Sequence, residues 1–147
     1  MQIEPAPPTP GMTFYEAVGG EDVFRRLVAA FYRGVAADPV LRPLYPDEDL
    51  GPAEERLRMF LVQYWGGPNT YSERRGHPRL RARHVPFRIG PAERDAWLRN
   101  MKAAVESLGL PADYERTLWA YLHQTAYVLT NTPAAEPGSP ESAPAAG

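Results

Sequence analysis

Seventeen prolines in a chain of 147 residues decide where helices can run, because the ring removes a backbone donor and clashes with the preceding turn except near a helix start. They are clustered. Pro5, Pro7, Pro8 and Pro10 crowd the first residues, Pro39, Pro43, Pro46 and Pro52 break residues 39–52, and Pro133, Pro137, Pro140 and Pro144 stud the end. With Ala, Gly and Ser around the last group, residues 1–11 and 133–147 read as disordered tails, so the expected folded domain is residues 12–132. A chain of this size has room for one domain with one hydrophobic core.

Between the prolines, apolar residues recur at helical spacing and no strand pattern competes. Thr13-Phe14-Tyr15-Glu16 is a capping box opening a short helix that Gly19-Gly20 must end. From Glu21 to about Asp38 the stripe Phe24, Leu27, Val28, Phe31 and Val35 predicts an amphipathic helix, with Glu21 and Asp22 at the favourable end of its dipole. Residues 39–52 permit only turns or very short helices. The next helix is expected from Ala53 to Trp65, with Ala53, Leu57, Phe60, Leu61 and Tyr64 on one face and a Glu54–Arg58 pair on the other. Two more close the domain. One runs from Pro91 to Leu108 with Trp97, Met101, Val105 and Leu108 inward; the other runs from Pro111 to Asn131 with Leu118, Tyr121, Leu122, Thr125 and Leu129 inward. The fold class is all-α.

Composition removes several function classes. A net charge of -2 and a pI near 5.9 argue against a globally basic nucleic-acid or membrane-surface protein. With no cysteine there is no disulfide, thiolate metal site or cysteine nucleophile, and a metal would take His, Tyr, Met or carboxylate ligands. The proline-broken start does not read as a signal peptide and no stretch is apolar for long enough to span a bilayer, so a cytoplasmic location is expected.

Residues 66–90 lack a helical pattern, yet an interval this long in so small a domain calls for a functional account. From Glu73 to Ile89 it carries six arginines, Arg74, Arg75, Arg79, Arg81, Arg83 and Arg88, against one acid, which suggests an anionic partner. Pro78 can open a short helical turn ending near His84, and Pro86 prevents its continuation. A histidine so isolated, with flanking cations and aromatic-rich helices, suits a flat, apolar dianion such as haem: imidazole on the iron, Leu and Phe on the ring faces, Arg or Tyr on the propionates. Physics alone leaves a plain solvated arginine surface equally open.

The runs Phe14-Tyr15-Glu16-Ala17-Val18-Gly19-Gly20, Phe31-Tyr32, Tyr45-Pro46 and Glu54-Glu55-Arg56-Leu57-Arg58-Met59-Phe60-Leu61 have a common pattern with those that follow. These are Gln63-Tyr64-Trp65-Gly66-Gly67-Pro68, Tyr71-Ser72-Glu73, Arg75-Gly76-His77-Pro78-Arg79-Leu80-Arg81, Arg83-His84-Val85-Pro86-Phe87 and Glu93-Arg94-Asp95-Ala96-Trp97-Leu98. Together they resemble the group II truncated haemoglobins of bacteria and plants, across nearly all of residues 12–132. The resemblance implies a truncated globin, a two-over-two helical sandwich around haem b. It implies His84 as the proximal iron ligand and Tyr32, Tyr45 and Trp97 as polar residues facing the bound gas. Ala53 matches the position where vertebrate globins place a distal histidine, so hydrogen bonding passes to the phenols and indole. Tyr45 stands where family members vary between residues. Phe31, Ala53, Leu57, Phe60, Leu61, Leu80 and Phe87 are expected against the cofactor, with Arg83, Tyr71 and Arg56 as candidates for the propionates.

The other histidines, His77 in a Gly-His-Pro loop and His123 beside the apolar stripe of the last helix, are expected at the surface. In the residues alone Tyr32 reads equally well as a core tyrosine. The expected function is reversible binding of O2 and other diatomic gases, slowed in release by phenol and indole donors. The alternative is a haem redox enzyme acting on nitric oxide or peroxide, with electrons from an external reductase because no nucleotide-binding glycine motif is present. A third reading takes the arginines with Trp65, Tyr71 and Phe87 as a single-stranded nucleic-acid surface, against which the overall acidity weighs. Monomer and homodimer stay open.

Overall fold

The computed structural model describes residues 12–84 and 88–132, without the side chain of Arg81. The two expected tails and Phe87 lie outside the described residues. The order of elements is α1 (Phe14–Val18), α2 (Glu21–Ala37), a 3-10 turn (Arg42–Leu44), α3 (Gly51–Tyr64), α4 (Thr70–Arg75), α5 (Leu80–His84), α6 (Pro91–Ser107) and α7 (Ala112–Leu129). The described residues hold no strand.

The local signals act as written. The Thr13 hydroxyl accepts from Glu16 N at 3.1 Å while the Glu16 carboxylate accepts from Thr13 N at 3.0 Å, so two orphan donors of α1 are satisfied reciprocally. Gly19 and Gly20 turn the chain at φ 120° and 75°, a region that favours glycine. α2 then buries Phe24, Leu27, Val28, Phe31 and Val35 completely.

α2 packs against α3 on one side and α6 on the other, and α6 packs against α7. These four helices form the two-over-two sandwich, whose core runs from Phe24 and Phe31 to Met101, Val105 and Leu118. The α2–α6 crossing is close because Gly34 has no side chain; a Cβ there would overlap the Asn100 amide. Asn100 uses that amide to donate to Asp38 at 2.7 Å and to the Ala96 carbonyl at 2.9 Å. Asp38 also accepts the N–H groups of Val40 and Leu41. The Asn100 bond, with those backbone donors, holds the Asp38 carboxyl below its ordinary value against the opposing effect of desolvation.

Three expectations change. Residues 66–90 contain α4 as well as α5: Gln63 holds Ser72 by two hydrogen bonds, at 2.7 and 2.9 Å, and Tyr71 is buried against Phe60. Six residues make a helix here because α3 supplies tertiary partners, which local pattern does not reveal. Arg58 reaches Glu21 on α2 at 3.3 Å instead of pairing within α3. Tyr64, expected inside, is 51% exposed.

Candidate functional site

The helices enclose a cavity of about 510 Å³, within the roughly 300–1,000 Å³ usual for ligand pockets. Its apolar wall includes Ala53, Leu57, Phe60 and Leu61 of α3 and Leu80 of α5. Sequence periodicity placed the α3 residues on one face, and that face looks into the cavity.

Tyr32, Tyr45 and Trp97, each with a polar atom on its ring, line the same cavity. Tyr32 comes from α2, Tyr45 from the residue after the 3-10 turn and Trp97 from the second turn of α6. The two phenol rings meet edge to face at 5.6 Å and share a hydrogen bond. Burial, reinforced by Tyr45, pushes the Tyr32 phenol far above its ordinary value; burial also raises Tyr45, opposed by its bond to Tyr32. Both hydroxyls therefore stay protonated at neutral pH, and in the bond they share Tyr32 donates to the Tyr45 oxygen. Phe31 does not line the cavity. It is fully buried behind the wall, 5.1 Å from the Tyr32 ring and 5.4 Å from Trp97, where it fixes the orientation of both.

His84 closes α5 and also lines the cavity. Its Nδ1 lies 2.6 Å from the Leu80 carbonyl oxygen. A carbonyl can only accept, so Nδ1 carries the proton and Nε2 holds the imidazole lone pair, the arrangement a metal-ligating histidine needs. Asn131, just beyond α7, donates to the His84 carbonyl at 3.1 Å and accepts from Ile89 N at 2.9 Å. Its backbone N–H also donates to the Ile89 carbonyl at 2.9 Å. One residue thus holds the chain on both sides of residues 85–87. Before α5, Arg79 adopts φ 47° and donates its N–H to His77 Nδ1 at 3.2 Å. His77 and His123 are exposed, as expected, and neither lines the cavity.

Arg56, Arg75, Arg83 and Arg94 border the cavity, against Asp47 and Glu93. Arg83 donates to the carbonyls of Pro78 at 2.7 Å and Arg75 at 3.0 Å. Arg75 and Arg83 both sit over the buried Tyr71 ring, at 5.9 and 5.8 Å. Arg75 and Arg94 were missed as site residues, although Arg75 belongs to the basic interval and Arg94 precedes Trp97 by one helical turn. Tyr71 is buried and Trp65 packs within an aromatic cluster, so neither ring is presented for stacking on nucleic-acid bases.

This donor set suits haem: apolar walls for the ring, an excess of guanidinium for two carboxylates, and one imidazole with its outer nitrogen fixed. Among the described residues no three His, Asp or Glu side chains converge. A metal bound by His84 would have to arrive carrying most of its ligands, as iron does within a porphyrin.

Residues 13–131 match the family model for bacterial-like globins. The chain is 43% identical to the group 2 truncated hemoglobin YjbI of Bacillus subtilis over 122 residues, 83% of this chain and 91% of that one. The thermostable hemoglobin of the actinobacterium Thermobifida fusca superposes with a TM-score of 0.82 at 70% identity, covering 84% of this chain and 100% of the other. The truncated oxygen-avid haemoglobin of Bacillus subtilis superposes with a TM-score of 0.76 at 43% identity, covering 81% and 99%.

Proposed function

Because the chain belongs to the bacterial-like globin family, as a haem-binding, O2-binding truncated haemoglobin, we propose that it is a slow-releasing gas site rather than a bulk oxygen carrier. His84 would hold the haem iron, and Tyr32, Tyr45 and Trp97 would act on the gas. The observation that carries this reading is that two buried phenols in contact with each other and an indole line one cavity. The 43% identity to a haemoglobin described as oxygen-avid supports it.

When bound, haem supplies a ferrous iron that takes diatomic gases. The protein does the rest. His84 Nε2 would hold the iron, with the Leu80 carbonyl keeping the imidazole in the ligating tautomer. With gas bound, Tyr45 would turn its own proton onto the Tyr32 oxygen, so that Tyr32 and Trp97 would donate hydrogen bonds to a gas molecule that draws negative charge, and Leu57, Phe60 and Leu61 would keep water away so that those bonds are strong. Arg56, Arg75 and Arg83, with Tyr71, would receive the propionates.

No helix among the described residues is long and apolar enough to cross a membrane. We place the protein in the cytoplasm, where a separate reductase keeps the iron ferrous. Stopped-flow measurement of O2 release tests the reading. Tyr32→Phe and Trp97→Phe should each speed release by about tenfold, the equivalent of roughly 1.4 kcal/mol for one hydrogen bond. Unchanged release in both variants would contradict it.

A further inference from the structure

Tyr64 is a large aromatic residue that the structure leaves half in water, 51% exposed, at the end of α3. It is not alone there. Its ring stacks on Tyr121 at 4.0 Å between centroids and 24° between planes. Tyr121 lines the cavity, and its hydroxyl is hydrogen-bonded to Thr125, another lining residue. Trp65 meets both rings edge on, at 5.1 and 5.4 Å, and its indole nitrogen is buried with no hydrogen-bond partner among the described residues. The result is a short path of stacked π systems from cofactor cavity to solvent.

The chemistry of these rings sets the direction of use. Phenols are hard to oxidise, so they cannot pass electrons inward from a weak biological reductant. They are, with indole, the side chains that a strong oxidant in the cavity would draw on in a chain without cysteine. The exposed Tyr127 lacks such a route: its ring neighbour His123 does not line the cavity, and the Arg94 guanidinium over its ring at 4.2 Å, which does, is not an oxidisable group.

We propose that Tyr64 is a surface oxidation site at which small phenols in solution are oxidised by one electron, with Tyr121 as the link to hydrogen peroxide reduced in the cavity. The proposal rests on the haem-globin reading, since peroxide reduction needs the bound cofactor. In each pass Tyr64 gives an electron to Tyr121 and its hydroxyl proton to water, then regains both from a phenol whose O–H bond breaks. Two passes balance one peroxide: its O–O bond breaks, it takes up two electrons and two protons to become two waters, and two phenols leave as phenoxyl radicals.

The test uses the full-length haem-loaded protein treated with hydrogen peroxide without any donor, so that oxidised Tyr64 couples between molecules into covalent, fluorescent dityrosine dimers. The wild type and Tyr127→Phe should form them, Tyr64→Phe and Tyr121→Phe should not, and adding p-cresol should suppress them in the wild type while the phenol is consumed. Dimers that persist in Tyr64→Phe, that vanish in Tyr127→Phe, or that never form in the wild type would overturn the proposal. Persistence in Tyr121→Phe would overturn the path. The Soret band of each variant separates the two levels, because an intact one-to-one haem complex without dityrosine sinks this inference alone, whereas absence of haem binding sinks the reading beneath it.

Discussion

Tyr32 and Trp97 stand on α2 and α6, two helices of seventeen residues held by their own apolar stripes, whereas His84 ends a helix of five residues. α5 is far too short to be stable by itself. It is held by Arg83 on the carbonyls before it, by Asn131 on the His84 carbonyl and by contact with α7. The wall proposed to face the gas is therefore built by local pattern, and the segment proposed to hold the iron is built by hydrogen bonds from distant sequence. Damage to the first should show in gas kinetics and fold stability, and damage to the second in cofactor retention.

The largest expected effect is on the gas-facing wall. Tyr32→Phe combined with Trp97→Phe should speed O2 release by about a hundredfold, roughly 2.8 kcal/mol for two donors, while haem retention stays as in the wild type. A matching rise in haem loss, followed by transfer to an apo-globin acceptor, would break the division.

Gly34→Ala comes next. The added methyl forces Asn100 from its bonds to Asp38 and the Ala96 carbonyl, a cost of about 2 kcal/mol from crowding and lost hydrogen bonds. Urea unfolding should show it. Equal stability would mean that the α2–α6 crossing adapts more easily than its geometry implies.

On the other side, Asn131→Ala removes the side-chain bonds that flank residues 85–87. Haem loss should quicken by about fivefold, near 1 kcal/mol, and the iron–histidine stretching band should broaden, with O2 release unaltered. If O2 release changes and haem loss does not, Asn131 does not belong to the iron-ligating side.

The smallest effect is at alkaline pH. The unfolded chain releases phenolic protons near pH 10, while burial keeps Tyr32 and Tyr45 protonated in the fold. The native state then binds more protons, so stability is complete below about pH 10 and declines as pH rises beyond it. Tyr32→Phe should flatten that decline in a denaturation series from neutral to alkaline pH, and an unchanged slope would show that Tyr32 does not hold its proton.

The same contrast explains what the sequence made legible. Proline placement and apolar spacing located α2, α3, α6 and α7, since each buries a periodic stripe. α4 escaped because its six residues depend on Gln63 and Phe60. Among the site residues, His84 was singled out by an isolated turn between Pro78 and Pro86 and by family resemblance, and Tyr32 by resemblance alone, since a phenol on a buried stripe looks like core. Phe31, one residue earlier, belongs to the core behind the wall. Asn131 lies 47 residues from His84 and 42 from Ile89, and no local pattern carries such pairings.

The central claim is that His84 supplies the ligand nitrogen for an iron porphyrin held in this cavity, and a haemin titration of the wild type and His84→Gly, read by visible absorption in the ferrous state with and without O2, tests it most directly. A saturable one-to-one Soret band that changes on O2 addition, and that is lost or shifted in the variant and restored by added imidazole, is the predicted result. Identical spectra in the two proteins, or featureless and non-saturating absorption in both, would contradict it.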